Sequence, residues 1–200
     1  MTKLSVLLGL ALLAAGPVAA QDTWQLDRAH SSIEFAVTHM LISEATGRFR
    51  DFDVTMTSKG DDFSAMAIEA AIKTASIATD NEYRDNDLLG ADFFDAAKYP
   101  LATFKSTKLE KAGENKYRIT GELTIRDTTK PVVLDATYFG SITDPKGGVR
   151  TGWKAETTIN RFDYGVAWNR ALEAGGLVVS KDVKLTIRLE MKKAQPGKKE

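Results

Sequence analysis

From Ser32 to His39 the chain alternates without a break. Ile33, Phe35 and Val37 fall on one face of an extended strand together with His39, while Ser32, Glu34, Ala36 and Thr38 fall on the other. Side chains of a strand point to opposite faces in turn, so this pattern describes a strand with one buried and one wetted face. The same period returns along the chain. It appears in Val54 and Met56, in Met66, Ile68, Ala70 and Ile72, and in Tyr117, Ile119, Leu123 and Ile125. It continues in Val132, Leu134 and Tyr138 and in Val149, Trp153 and Ile159, and ends with Val183, Leu185, Ile187, Leu189 and Met191. Turn-forming clusters separate the runs: Lys59-Gly60-Asp61, Ala112 to Asn115, Asp127 to Pro131 and Asp144 to Gly148. About eight strands are expected.

The first twenty residues stand outside that pattern. Lys3 precedes an apolar run from Leu4 to Ala15, too short to span a membrane, and Pro17 and Val18-Ala19-Ala20 follow it. These are the parts of a secretory signal peptide, with cleavage expected after Ala20. No cysteine follows the run, so it is not a lipoprotein signal. The whole chain carries 27 basic and 27 acidic residues; removal of Lys3 with the signal leaves a net charge of −1. That balance argues against nucleic acid and against a polybasic membrane surface. A mature chain of this length is expected to form one domain, residues 21–193, with a core large enough to need no disulfide, and it has no cysteine. A periplasmic location fits. The Pro-, Gly- and Lys-rich tail, residues 194–200, is expected to be disordered.

Two stretches depart from alternation. Asn81 to Pro100 has helical spacing in short pieces, with Asp80 or Asn81 as N-cap and Gly90 as stop. Asn160 to Ser180 begins like a strand and has a short helical middle before Gly175-Gly176. The economical architecture is an all-β fold, an eight-stranded antiparallel barrel with short helices in these two segments, because closure removes exposed strand edges. A two-sheet sandwich would produce similar alternation. Eight strands close to a width that side chains fill or that holds one small ligand.

Four segments together carry a family resemblance: WQLDRAHSSIEFAVTHM (from Trp24) with Gly47 to Phe49, NEYRDNDLLGADFFDAAKYPLATFKS (from Asn81), YRITGELTIRDTTKPVVL (from Tyr117) and INRFDYGVAW (from Ile159). In these the chain resembles the YceI family of lipid-binding, lipocalin-like barrels over its mature length. The resemblance implies an extended eight-stranded barrel whose hydrophobic cavity takes a long-chain lipophile, a polyisoprenoid or a quinone derivative. One departure is Ile125-Arg126-Asp127, where the family often has glycine. It is expected to alter a hairpin turn and not the binding.

The inward rows and the aromatic-rich segments nominate a ligand-binding set: Phe35, Val37, His39, Phe49, Arg84, Phe94, Phe104, Ile119, Leu123, Trp153, Phe162, Trp168 and Leu185. Each has a structural alternative. His39 could donate to a polar head group or be a satisfied structural histidine. Arg84 could clamp a diphosphate or quinone oxygen, or close on Asp85 and Asp87 to pin the helix; the same choice applies to Arg161, Asp163 and Arg170. Phe93 and Phe94 could edge a lid or plug a loop. Trp153 could line a cavity or fill a core. His30 and His39 lie too far apart on one strand to share a metal, and no metal set or cofactor motif is seen. No serine elbow, partnered histidine or phosphate loop supports catalysis, so no enzyme activity is expected. The expected function is binding of a long-chain apolar molecule for transport, storage or scavenging. An enzyme acting on such a lipid and a stress-related barrel with a filled core are the alternatives. Whether the protein is a homodimer stays open.

Overall fold

The computed structural model describes residues 21–60, 62–173 and 175–195. The expected signal peptide and most of the expected tail lie outside them. Eleven strands occur among these residues. They are β1 (Asp22–Leu26), β2 (Ser32–His39), β3 (Ser43–Phe49), β4 (Phe52–Lys59), β5 (Asp62–Lys73), β6 (Ile77–Ala78), β7 (Leu101–Gly113), β8 (Lys116–Ile125), β9 (Thr128–Thr143), β10 (Val149–Asn160) and β11 (Val179–Lys193). One α-helix, α1 (Glu82–Leu89), sits between β6 and β7.

Every neighbouring pair is antiparallel, and the sheet closes because β11 pairs with both β10 and β1. The eleven strands amount to eight staves. A 3-10 turn at Arg28–His30 breaks one stave into β1 and β2, Arg50-Asp51 bends a second into β3 and β4, and Thr74–Ser76 divides a third into β5 and β6. The pairings confirm this: β2 runs beside β3, and β1 beside β4. The eight-stranded antiparallel barrel expected from the alternation is therefore the fold, and a sandwich is not.

The interior has two unlike ends. At one, the inward row of β4 is fully buried: Phe52, Val54, Met56 and Ser58. Trp24 and Met191 are 0% exposed there, and Trp24 Nε1 donates to Ser58 Oγ at 2.9 Å. Trp24, Phe63, Tyr138, Trp153 and Tyr117 form a chain of ring contacts with centroids 4.7–5.9 Å apart. Rings at such distances gain from edge and offset packing beyond simple burial, so this end is closed by a packed aromatic plug. At the other end the inward row of β2, Ile33, Phe35 and Val37, is only half-buried although it faces the barrel axis. Inward residues that keep accessible surface are facing empty space.

Two expectations need correction. The second irregular segment has no helical middle in its described part. It holds a single 3-10 turn at Arg161–Tyr164, ended by Gly165 at φ +72°. The Arg161 guanidinium bonds the carbonyls of Val166 and Trp168, so these oxygens are taken by a side chain and the segment stays extended. Strand β7 gave no alternating signal because a bulge between Ser106 and Lys108 shifts its phase. Phe104 and Leu109 thus both pack on the core from an odd separation. The backbone of Ala194, expected in the tail, continues the ladder by donating to Thr23 O at 2.8 Å.

Candidate functional site

A cavity of about 840 Å³ opens where β2, β3, β10 and β11 meet α1 and the segment after it. Its wall follows from the strand register. Phe35 pairs with Gly47 and Val37 with Ala45, so β3 offers small residues opposite large ones. At Gly47 a side chain would displace its neighbours: a Cβ there would lie 2.3 Å from the Phe35 ring. Phe49 closes the row, with ring contacts to Phe35 at 5.9 Å and to Phe94 at 6.0 Å.

Beyond Ile33, Leu123 and Leu185 lies a second chamber of about 120 Å³, walled by aliphatic side chains, Phe104 and Trp153. Those three residues line both spaces and so form a neck between them. Phe104, Ile119 and Trp153 face only the inner chamber, while Phe35, Val37, His39, Phe49, Arg84, Phe94 and Trp168 face only the outer one. Phe162, nominated from the sequence, lines neither; its ring lies 4.6 Å from the Arg161 guanidinium.

The polar groups sit at the outer end. Asn81 caps α1 by accepting from Arg84 N at 3.0 Å, and Gly90 ends the helix. Arg84 does not close on Asp85. Its Nε donates to Thr79 Oγ1 at 2.7 Å and its Nη2 to Thr79 O at 2.9 Å, while Asp85 Oδ1 accepts from Thr79 N and Oγ1. Both charges thus fasten the helix to Thr79, the residue that follows β6. The His39 imidazole faces the cavity with no hydrogen-bond partner among the described residues. Phe93 and Trp168 stack at 5.3 Å, joining the two irregular segments over the opening.

The sequence did not single out Tyr164, Val166 or Ile159 as wall residues, and it left Arg161 open between a head-group clamp and a structural ion pair. All four line the outer cavity. Arg161 is 6% exposed and has no carboxylate partner among the described residues; four backbone carbonyls hold it. The motif INRFDYG was visible, but spacing along the chain could not show which side of a 3-10 turn would face the barrel axis.

Away from the cavity, Asp27, His30 and Glu190 bring three metal-capable groups within 4.8 Å of one another. Here Arg150 Nη1 already donates to Asp27 and Glu190, and Lys192 Nζ lies 3.0 Å from Asp27. The acidic oxygens are therefore engaged by cations of the protein itself.

The family model for the YceI-like domain matches residues 24–191. The chain belongs to the YceI-like family. Its barrel is 38% identical over 161 residues to a UPF0312 protein of Pseudomonas savastanoi, covering 80% of this chain and 83% of that one. It is 39% identical over 165 residues to a UPF0312 protein of Staphylococcus aureus, covering 82% and 94%. Among solved structures, the YceI protein of Campylobacter jejuni superposes with a TM-score of 0.67 at 32% identity, covering 79% and 90%. A polyisoprenoid binding domain from Saccharophagus degradans shares the fold, with a TM-score of 0.60 at 16% identity, covering 86% and 98%. The inward-facing strand rows of this YceI-like barrel give it an apolar interior. No helix among the described residues is long and apolar enough to cross a membrane.

Proposed function

We propose that this protein is a periplasmic carrier or store that encloses the chain of a long apolar molecule, a polyisoprenoid or a lipid of similar length. The observation that carries this reading is the half-buried inward row Ile33, Phe35 and Val37 against a cavity of about 840 Å³. That volume lies toward the upper end of the range for ligand pockets, about 300–1,000 Å³. The wall is mainly aliphatic and aromatic, which favours apolar contents without dictating them. The ligand named for the Saccharophagus degradans domain of the same fold agrees with this chemistry. Export rests on the apolar run and the Val18-Ala19-Ala20 site of the leader.

The deciding experiment is solvent extraction and mass spectrometry of the protein purified from its native compartment, followed by calorimetric titration of the stripped protein with long-chain compounds. A stoichiometric lipophile that rebinds is the expected result. A protein that yields none and binds no long-chain compound is not a lipid carrier.

A further inference from the structure

Arg161 and Tyr164 are three residues apart on a 3-10 turn, where side chains at i and i+3 eclipse. Both therefore leave the turn on the same side, and both line the outer cavity. Arg161 is 6% exposed and Tyr164 2%. A guanidinium has five N–H donors. Four are spent: Nε on Ser180 O at 2.9 Å, Nη1 on Val166 O at 2.7 Å and Trp168 O at 2.8 Å, and Nη2 on Val179 O at 3.2 Å. One Nη2 hydrogen remains. The Tyr164 hydroxyl has no hydrogen-bond partner among the described residues.

An arginine held by neutral carbonyls keeps its full charge. Burial lowers its pKa, but from a value so high that it stays protonated at neutral pH. Burial, with the nearby Asp163 charge, raises the Tyr164 phenol, so that it too keeps its proton and can donate. A charge buried without a counter-ion is costly unless something compensates it. Here the space beside it is ligand space.

We propose that Arg161 and Tyr164 hold an oxyanion, so that the ligand of this barrel is a long-chain amphiphile with an anionic head group, a carboxylate or a phosphate, and not a neutral one. The assignment rests on the carrier reading above and adds the head-group chemistry to it. The chain then runs along Phe35, Val37 and Leu185 toward the neck, while the head stays under the Arg161–Tyr164 turn. A head group in this place accepts two charge-assisted or hydroxyl hydrogen bonds, which favour an anion over an alcohol of the same chain length.

The test titrates the stripped full-length mature protein with hexadecanoate, hexadecyl phosphate and hexadecanol in parallel. The anion is expected to bind about tenfold or more tighter than the alcohol, the margin of one hydrogen bond to a charged group. A preference for either anion supports the site, and the tighter of the two names the head group. Tyr164→Phe, which keeps the ring and the fold, should weaken the anion about tenfold and leave the alcohol unchanged. Arg161→Gln should abolish the preference; since it also loses carbonyl bonds, Tyr164→Phe is the variant that decides if Arg161→Gln does not fold. Equal binding of anion and alcohol by the parent protein overturns the oxyanion site but leaves the carrier. Equal loss of both ligands in Tyr164→Phe also overturns it. Binding of none of the three overturns the oxyanion site, and if the parent protein also yields no lipophile on extraction it overturns the carrier itself.

Discussion

Arg150 joins parts of the chain far apart in sequence. Its Nη1 donates to Asp27 Oδ2 at 2.6 Å and to Glu190 Oε1, and its Nε donates to Asp144 Oδ2 at 2.8 Å. It thereby ties the β1 end, the β9–β10 turn and β11 together. Burial alone would raise the Asp27 carboxyl, but hydrogen bonds from Arg150, Lys192 and His30 outweigh it and hold the group well below the usual carboxylate range. Arg150, with the amides of Gly148 and Lys146, holds Asp144 at about 2. Both carboxyls are depressed in the folded state, so their stabilisation is fully present above the unfolded pKa near 4 and is lost as pH falls below it. The melting temperature should therefore be flat with respect to these groups above about pH 5 and fall on acidification. Asp27→Asn should cost about 1.5–3 kcal/mol at neutral pH, the scale of a hydrogen bond to a charged group, and should flatten the acid limb. A pH series of thermal melts on parent and variant checks this; an unchanged acid limb would show that other carboxylates govern it. A second single residue matters at the mouth. Arg126 occupies the β8–β9 turn at φ +58°, a conformation that favours glycine. Its Nη1 donates to Phe93 O at 3.0 Å and Gly165 O at 2.8 Å, joining the two irregular segments. Arg126→Gly should relieve about 1 kcal/mol of backbone strain and lose both bonds, leaving overall stability near parent. Amide exchange should rise around 93–96 and 163–166; unchanged exchange there would mean that the clamp is idle.

At the scale of the element, the inward rows are not equivalent. Ile119 on β8 is 3% exposed and faces the inner chamber of about 120 Å³, whereas Leu185 on β11 stands at the neck beside the larger space. Ile119→Trp inserts an indole into a region with little slack and should cost about 1–3 kcal/mol. Leu185→Trp can turn its ring into the outer cavity and should melt within about 1 kcal/mol of the parent, while closing the neck. The bound chain should then be shorter, or lost, in Leu185→Trp. Thermal melts with mass spectrometry of extracted lipid read both quantities together. Equal, large destabilisation by the two substitutions would mean that the neck region is packed solid.

For the whole molecule, the division into a plugged end and an open end sets the direction of binding. The aromatic chain from Trp24 to Trp153 blocks one mouth, so the cavity opens past α1 and Trp168, the entry route for the proposed ligand. The export reading belongs to this scale as well. Protein recovered from the periplasm should begin at Gln21, and intact mass resolves this to the residue; a mass retaining residues 1–20 would withdraw the assignment.

The alternation of Ser32 to His39 and of Val183 to Met191 was enough to specify strands and their inner faces; it suited a sandwich as well as a barrel, and the pairing of β11 with β1 decided for the barrel. The alternation is local, because a strand repeats every two residues and its solvent face must be polar. Three things were not local. The bulge in β7 reverses parity at one peptide, so Phe104 and Leu109 looked unrelated along the chain. The breaks that divide three staves decide which strands pair, β2 beside β3 and β1 beside β4, and neither strand's own pattern names its partner. The inward residues of β2 and β4 have the same oily pattern, yet one row borders the cavity of about 840 Å³ and the other a buried core that keeps only a chamber of about 120 Å³. Volume depends on which side chains the other strands bring alongside. At the open end the neighbouring strand gives Val37 only Ala45 beside it and gives the Phe35 ring the bare backbone of Gly47 to lie on, whereas Trp24, Phe63 and Trp153 bring large rings together at the closed end. The sequence by itself determined the strand periodicity and the apolar interior. Only the tertiary structure decided where that interior is empty and that Arg161 is buried beside it without a carboxylate.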